Sequence, residues 1–293
     1  NACTEVTSED DSDVCNLGSL NFSRIESIEE LKDVTNLATA FLLCGTLVAK
    51  MPYKKVDDVR SKNRRLGLGI MGLHEWLLKR GHKYNVTPEL HQWLDVYRGV
   101  STSTSISGAK VLNVSTPIAN RAIAPTGTIG MLAGTTTGIE PVYACAYKRR
   151  YLANGTRWKY QFEVDHTAQQ LIETTGINPD KIESAIDLAY DYERRIKFQA
   201  DVQDYVDMSI SSTINLPSVK EHKVDTKQFA KTLATYAPRL RGFTVYPDGA
   251  RGGQPLTPVP YKEAVEKLGE EFDENLVTND VCEITGHGGS CGV

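Results

Sequence analysis

Apolar and polar residues recur along this chain with two different periods, and each change of period marks an element. Ser27 followed by Glu30 has the spacing of a capping box, and Leu31, Val34, Ala38, Phe41 and Leu42 follow at helical intervals. A helix over residues 28 to about 50 is predicted, with Cys44 among its apolar residues as a small core side chain. Thr87-Pro88 starts another helix, with threonine as N-cap and proline at the first helical position. CNLGSLN (15–21) reads as a short strand with a turn. Segments 112–124 and 141–152 have strand composition, whereas 160–175 and 180–200 look helical. STINLP (212–217) is a short strand stopped by Pro217, Lys227 to about Ala237 is a helix, and RGFTVY (241–246) is a strand running into the turn cluster PDGARGG. Helices and strands alternate, so the fold class is α/β. From about Thr278 the chain turns Gly-rich and aperiodic, which divides it into a main body, 1–277, and a tail, 278–293.

Composition narrows the class without changing that outline. With 293 residues, 40% apolar and 24% charged, the chain can bury a substantial core. A formal net charge of −4 does not fit a dedicated nucleic-acid or membrane binder. The best apolar run, ATAFLLCGTLVA, is too short to span a bilayer and has a helical pattern. Six cysteines without a compact framework read as reduced thiols, which with no visible signal peptide points to the cytoplasm. The first residue is Asn rather than Met, and chemistry-bearing residues crowd the first positions, as expected for a piece of a longer chain.

Two glycine motifs differ in value. GLGIMG (67–72) matches a dinucleotide fingerprint, but SKNRR precedes it where a buried strand is required. Its glycines are read as allowing close packing where a helix begins near Met71, and no nicotinamide cofactor is implied. APTGTIG (124–130) follows the apolar stretch NRAIA. Backbone N–H groups in such a turn, with the hydroxyls of Thr126 and Thr128, can bind phosphate oxygens; an ordinary strand–turn–helix junction is the alternative. At the start, Asn1, Cys3 and Glu5 alternate, so an extended chain would turn an amide, a thiol and a carboxylate to one side; a frayed polar terminus is the alternative.

Taken in order, NACTE, CNLGSLN, NRRLGLGIMG, APTGTIGMLAGTTTGIEP with YKRRYL, SSTINLP and YPDGARGGQPL resemble the catalytic subunit of ribonucleotide reductases, specifically the adenosylcobalamin-dependent class II enzymes of the dimeric type. The resemblance implies the second half of a ten-stranded α/β barrel, entered partway along its finger loop. It implies that Cys3 becomes the thiyl radical, that Glu5 takes the 3′-hydroxyl proton, and that Asn1 positions the substrate. Cys15 matches one of two reducing thiols, whose partner would lie in an N-terminal half. Pro125, Thr126, Gly127, Thr128 and Ile129 match the substrate-phosphate loop. A complete enzyme would be a homodimer that reduces ribonucleotides, favouring diphosphates, with thioredoxin or glutaredoxin as reductant and no direct nucleic-acid or membrane partner.

The last barrel strand bears on the radical source. RLRGFTVY places Thr244-Val245 where class I enzymes carry two adjacent tyrosines, and GGSCGV is not a glycyl-radical motif. Cobalamin remains. The tail departs from the family pattern, because Cys282 and Cys291 are separated by eight residues with His287 between them. An electron shuttle is the favoured reading, and a Cys/His metal site the alternative. Cys145 has no matched role and is expected to be buried. The rival functions are a class I large subunit and a nucleotide-binding barrel that has lost its chemistry.

Overall fold

The computed structural model describes residues 3–153, 157–218, 224–248 and 255–273. Strand β1 (Asn16–Asn21) leads through helices α1 (Ile28–Val48) and α2 (Lys54–Asn63) to β2 (Leu66–Met71). The two strands pair in parallel, Asn16 opposite Leu66 and Asn21 opposite Met71. Helices α3 (Leu73–Lys79) and α4 (Pro88–Val111) carry the chain to an extended segment, 119–124, which a parallel bridge from Arg121 to Leu68 joins to β2. The short helix α5 (Gly127–Leu132) follows, then strands β3 (Ala146–Ala153) and β4 (Arg157–Val164) and helices α6 (His166–Thr175), α7 (Ala185–Ala189) and α8 (Tyr192–Gln203). Segment 208–212 bridges Ile210 to Ile123 in parallel and continues into β5 (Thr213–Leu216). Helix α9 (Thr226–Tyr236) returns the chain to β6 (Thr244–Pro247), parallel to β5. Finally β7 (Leu256–Pro258), α10 (Tyr261–Glu266) and β8 (Glu271–Asp273) rejoin the hairpin, giving an antiparallel sheet in the order β7-β3-β4-β8.

Linked by those bridges, β1, β2, 119–124, 208–216 and β6 run parallel in that order, the layout of half a ten-stranded barrel. Among the described residues β1 pairs only with β2 and β6 only with β5, so the sheet does not close on itself. β2 is buried at all six positions, as expected for a parallel strand covered by helices. Its neighbours Phe22, Trp76, Trp93 and Tyr97 form the aromatic centre of the core, with edge-to-face rings such as Trp76–Trp93 at 5.1 Å.

The helix starts follow their local signals. Thr87 Oγ1 accepts from Leu90 N–H at 3.1 Å. Ser27 Oγ accepts from Glu30 N–H at 3.1 Å, but the Glu30 carboxylate turns to Glu26 N–H, so the expected box is half formed.

Several expectations need correction. Residues 160–164 are strand, not helix, because Tyr160, Phe162 and Val164 pair across to Arg150, Lys148 and Ala146 and present one face to α10. The helix begins at His166, capped by Asp165. The stretch 180–200 holds two helices, broken where Ser184 and Asp191 start new caps. Within 112–124 only the end is extended, and β6 begins at Thr244 rather than at Arg241. Cys44 is exposed: α1 packs with Leu42, Leu43 and Thr46, while Leu37, Phe41, Cys44 and Val48 face outward. By length and composition α1 could cross a membrane, yet its inner face lies on α4, β1 and β2.

Candidate active site

The glycines of GLGIMG lie inside strand β2 and clear space in front of it. A Cβ on Gly67 would sit 2.7 Å from Cys15 Sγ and 2.5 Å from Leu17 Cδ2, and one on Gly69 would sit 2.6 Å from the carbonyl oxygen of Ala122. Any larger residue would push Cys15 or segment 119–124 away. Close packing is therefore the right reading of the motif, but the element it serves is a strand, and α3 starts only after Gly72.

The first described residues lie against the far strands. The Glu5 carbonyl accepts from Ser209 N–H at 3.0 Å. A Cβ on Gly242 would meet Ser209 Oγ at 2.5 Å and Thr4 Oγ1 at 2.8 Å, so this loop touches the entry to β6. Thr4 has φ 66°, in the left-handed region, and turns the chain between Cys3 and Glu5. Simple alternation therefore fails: Cys3 is exposed and Glu5 is 3% exposed. Asn1 lies outside the described residues.

Cys15 stands at the entry to β1, packed with Val6 beside Ala119, Ala122 and Met208. Burial pushes its thiol up to about 12, against the pull of Arg65 and with added repulsion from Asp13 and Glu5. The thiol therefore keeps its proton at neutral pH. Asp13 is also buried, which alone would raise its carboxyl, but bonds from Arg65 (2.6 Å), Ser8 (2.7 Å) and Asn63 (2.8 Å) overcome that and hold it below the usual carboxylate range. Asp10 meets Asn63 and Lys62, and Asp11 meets Lys55. These contacts, which sequence reasoning missed, tie residues 8–13 to α2 and the arginine after it. Acidic EDDSD and the later basic KNRR were the available signal.

The second loop starts where segment 119–124 ends. Thr126 has φ 51° and is 8% exposed. Its Oγ1 accepts from Gly138 N–H and its carbonyl from Gly130 N–H, each at 2.7 Å. Pro125, Gly127, Thr128 and Ile129 around it are exposed. Behind the loop, residues 139–142 are gripped by buried side chains. Tyr84 O–H donates to the Ile139 carbonyl, Glu140 holds Arg195 and accepts from Thr213 N–H at 2.7 Å, and Val142 N–H donates to His74 Nδ1 at 2.9 Å. Complete burial, assisted by Arg195, lowers His74 to about 3, so its ring stays neutral and can accept that bond. A cleft of about 710 Å³ opens beside this grip, lined by Gly127, Met131, Glu140, Tyr147, Thr213 and Asn215.

A family model described as the ribonucleotide reductase barrel domain matches residues 1–94 and 119–246, which include both loops, four of the parallel strands and β6 up to Tyr246. The chain belongs to the ribonucleotide reductase barrel family. It is 26% identical over 302 residues to a vitamin B12-dependent ribonucleoside-diphosphate reductase of Mycobacterium tuberculosis, covering 88% of this chain and 42% of that protein. It is 29% identical over 292 residues to the Thermoplasma acidophilum protein of the same name, covering 83% and 37%. A solved B12-dependent class II ribonucleotide reductase superposes with a TM-score of 0.70 at 18% identity, covering 90% of this chain and 41% of that one. The chain thus spans less than half the length of these relatives.

Within this reductase barrel the residues expected at the site fall into two groups. Cys15 and Glu5 are close enough to interact electrostatically, and Cys3 is on the same loop as Glu5. Pro125 and Thr126 follow the third parallel strand, and Gly127, Thr128 and Ile129 open helix α5. Thr244 and Val245 sit in β6 opposite Thr213 and Ile214, in a position with no phenol pair. Cys145 is half-buried and donates to the Pro179 carbonyl at 3.4 Å. Among the described residues no cluster of three or more His, Cys, Asp or Glu could hold a metal ion. Cys282 and Cys291 lie outside those residues.

Proposed function

We propose that this chain provides the radical-bearing half of a ribonucleotide reductase that converts ribonucleoside diphosphates to 2′-deoxyribonucleotides for DNA synthesis. The observation that carries the reading is the loop bearing exposed Cys3 and buried Glu5, seated against the parallel strands near the protonated Cys15 thiol. A thiyl radical at Cys3 takes the 3′-hydrogen, and Glu5 takes the 3′-hydroxyl proton. The 2′-hydroxyl leaves as water. Cys15 and a second thiol in an N-terminal half supply two electrons and two protons and end as a disulfide, and Cys3 recovers its radical when the 3′-hydrogen returns. Asn1 orients the ribose. Pro125, Thr126, Gly127, Thr128 and Ile129 hold the phosphates. The Thr126 hydroxyl, whose oxygen already accepts from Gly138, still has its own proton to donate.

Adenosylcobalamin fits the residues present, since Cys3 is exposed to a bulky partner and β6 offers no tyrosine pair as a relay. When bound it supplies an organic radical able to draw a hydrogen atom from a thiol, and Cys3 is the residue that meets that chemistry. Cys282 and Cys291, in a tail from 278 onward, relay electrons from thioredoxin or glutaredoxin to the Cys15 disulfide. Among the described residues β1 and β6 each pair on one edge alone, which supports pairing with the N-terminal half-barrel, and the completed enzyme is a cytoplasmic homodimer with no direct nucleic-acid or membrane partner. The test is to complete the barrel with its N-terminal half and measure deoxynucleotide formation with and without adenosylcobalamin. Cobalamin-dependent product is expected. Activity that instead needs a separate radical-generating subunit overturns the class II reading, and no product under either condition supports a silent nucleotide-binding barrel.

A further inference from the structure

We infer that Glu75, a residue that touches neither loop of the proposed site, is a positioning residue that sets the shape of the 125–129 loop. Its side chain is 1% exposed, an unusual place for a carboxylate. One oxygen accepts the Thr135 hydroxyl at 2.5 Å, and the other faces Lys79 Nζ at 2.8 Å and Arg24 at 4.0 Å. The backbone N–H of Glu75 reaches Thr136 Oγ1 at 3.4 Å, and the Thr136 carbonyl accepts from Gly72 N–H at 2.7 Å. Thr135 and Thr136 are thereby pinned to the end of β2 and the first turn of α3. A Cβ on Gly72 would lie 2.6 Å from Thr135 Oγ1, so the threonine sits tightly over that turn.

The pinned pair connects to the loop through two short links. Thr135 N–H donates to the Gly130 carbonyl at 3.0 Å, which fixes the body of α5. Three residues on, Gly138 N–H donates to Thr126 Oγ1, which holds Thr126 in its left-handed conformation. A Cβ on Gly130 would lie 2.8 Å from Thr137 Cγ2, leaving little room for α5 to shift independently. A threonine with positive φ is strained and persists only where its surroundings determine it. Glu75 is the charged anchor of those surroundings: it holds 135–136, which hold 130 and 138, which hold 126.

For its ligand this inference rests on the phosphate-loop reading, and the experiment separates the two. The chain completed with its N-terminal half is titrated with inorganic pyrophosphate, and amide hydrogen exchange is followed over 126–138 and over β2. The variants are Glu75→Ala, Glu75→Gln and Thr135→Val, the last nearly isosteric and chosen to fold. Glu75→Ala and Thr135→Val are each expected to weaken pyrophosphate binding about ten-fold, the weight of one buried hydrogen bond, and to speed exchange over 126–138 but not over β2. Glu75→Gln keeps an acceptor for Thr135 and is expected to restore most of both. A merely structural role would give no such local signature and no rescue by glutamine. If the wild type binds pyrophosphate and Thr135→Val binds it equally, with unchanged exchange, the positioning role is overturned and the phosphate loop stands. If the wild type does not bind it but exchange responds as expected, the phosphate reading fails and the positioning role stands.

Discussion

Strand β2 buries all six of its residues, whereas β3 and β4 together bury only Ala146 and Phe162. The two sheets also handle charge differently. Beside the parallel strands Arg65 and Asp13 pair at 9% and 3% side-chain exposure, and the buried Arg195 reaches the partly exposed Glu140. On the antiparallel sheet Arg149–Glu163 and Lys159–Glu271 stay accessible, and Arg150 stacks 4.2 Å over the half-exposed Trp158 ring. A buried pair tolerates one geometry, because removing either partner strands a charge in a poor solvent. An exposed pair tolerates many. The half-barrel can therefore hold its side chains in register, while the antiparallel sheet can change its surface at little cost to the fold.

The sharpest break in that comparison comes from Cys3→Ser. In the enzyme completed with its N-terminal half, nucleotide reduction is expected to vanish while the thermal midpoint is unchanged, since the exposed Cys3 has little core to lose. Turnover within a few-fold of wild type would retire the radical assignment. Next comes thiol reactivity. At pH 8 Cys15, with its thiol near 12, should carry roughly a thousandth of the thiolate of an ordinary cysteine near 9, so iodoacetamide should label it far behind exposed Cys3 and Cys44 in mass spectra. Its labelling should rise about ten-fold per pH unit toward 12. The same shift sets an alkaline limb: above pH 9 the unfolded chain loses this proton first, so stability contributed by the buried thiol falls as pH rises toward 12.

Asp13→Asn should cost about 3–5 kcal/mol in urea unfolding by leaving Arg65 buried without its counter-charge. The Asp13 carboxyl is held below the usual range in the fold, so its contribution is present above that range and lost as pH falls through the folded value. A Thr128→Val change should weaken nucleotide binding by about 1.5–3 kcal/mol if its hydroxyl bonds charged oxygens, as read by calorimetry. Smallest of all, Glu163→Gln on the antiparallel sheet should cost less than about 1 kcal/mol. A loss as large as that of Asp13→Asn would erase the distinction between the two sheets.

How far these features were legible depends on their range. The caps at Ser27 and Thr87, the strand at 213–216 and the helix at 226–236 rest on neighbours within a few residues, and they were read correctly. The segment at 160–164 misled because five residues can fit either period, and pairing with β3 decided between them. Cys44 was placed on the wrong side because residues 37–48 of α1 are apolar on more than one face; contact with α4 and the strands selected Leu42, Leu43 and Thr46 for burial. The order of short motifs identified the family. It did not reveal that Thr4 breaks the alternation of Cys3 and Glu5, which a single dihedral angle controls.

By itself the sequence determined the α/β class, the family and those elements whose caps and periods are local, such as the helices begun at Ser27 and Thr87, because periods, caps and motifs act over short stretches of chain. Tertiary structure alone decided which polar groups became partners. Asp13 lies 52 residues from Arg65, Glu75 lies 60 from Thr135, and Glu140 lies 55 from Arg195. Charge clusters such as EDDSD and KNRR hint at such contacts, but no local pattern fixes which residues pair. In each the packing of the parallel strands removes water from at least one partner, and a group without water must find its hydrogen bond wherever the fold brings one.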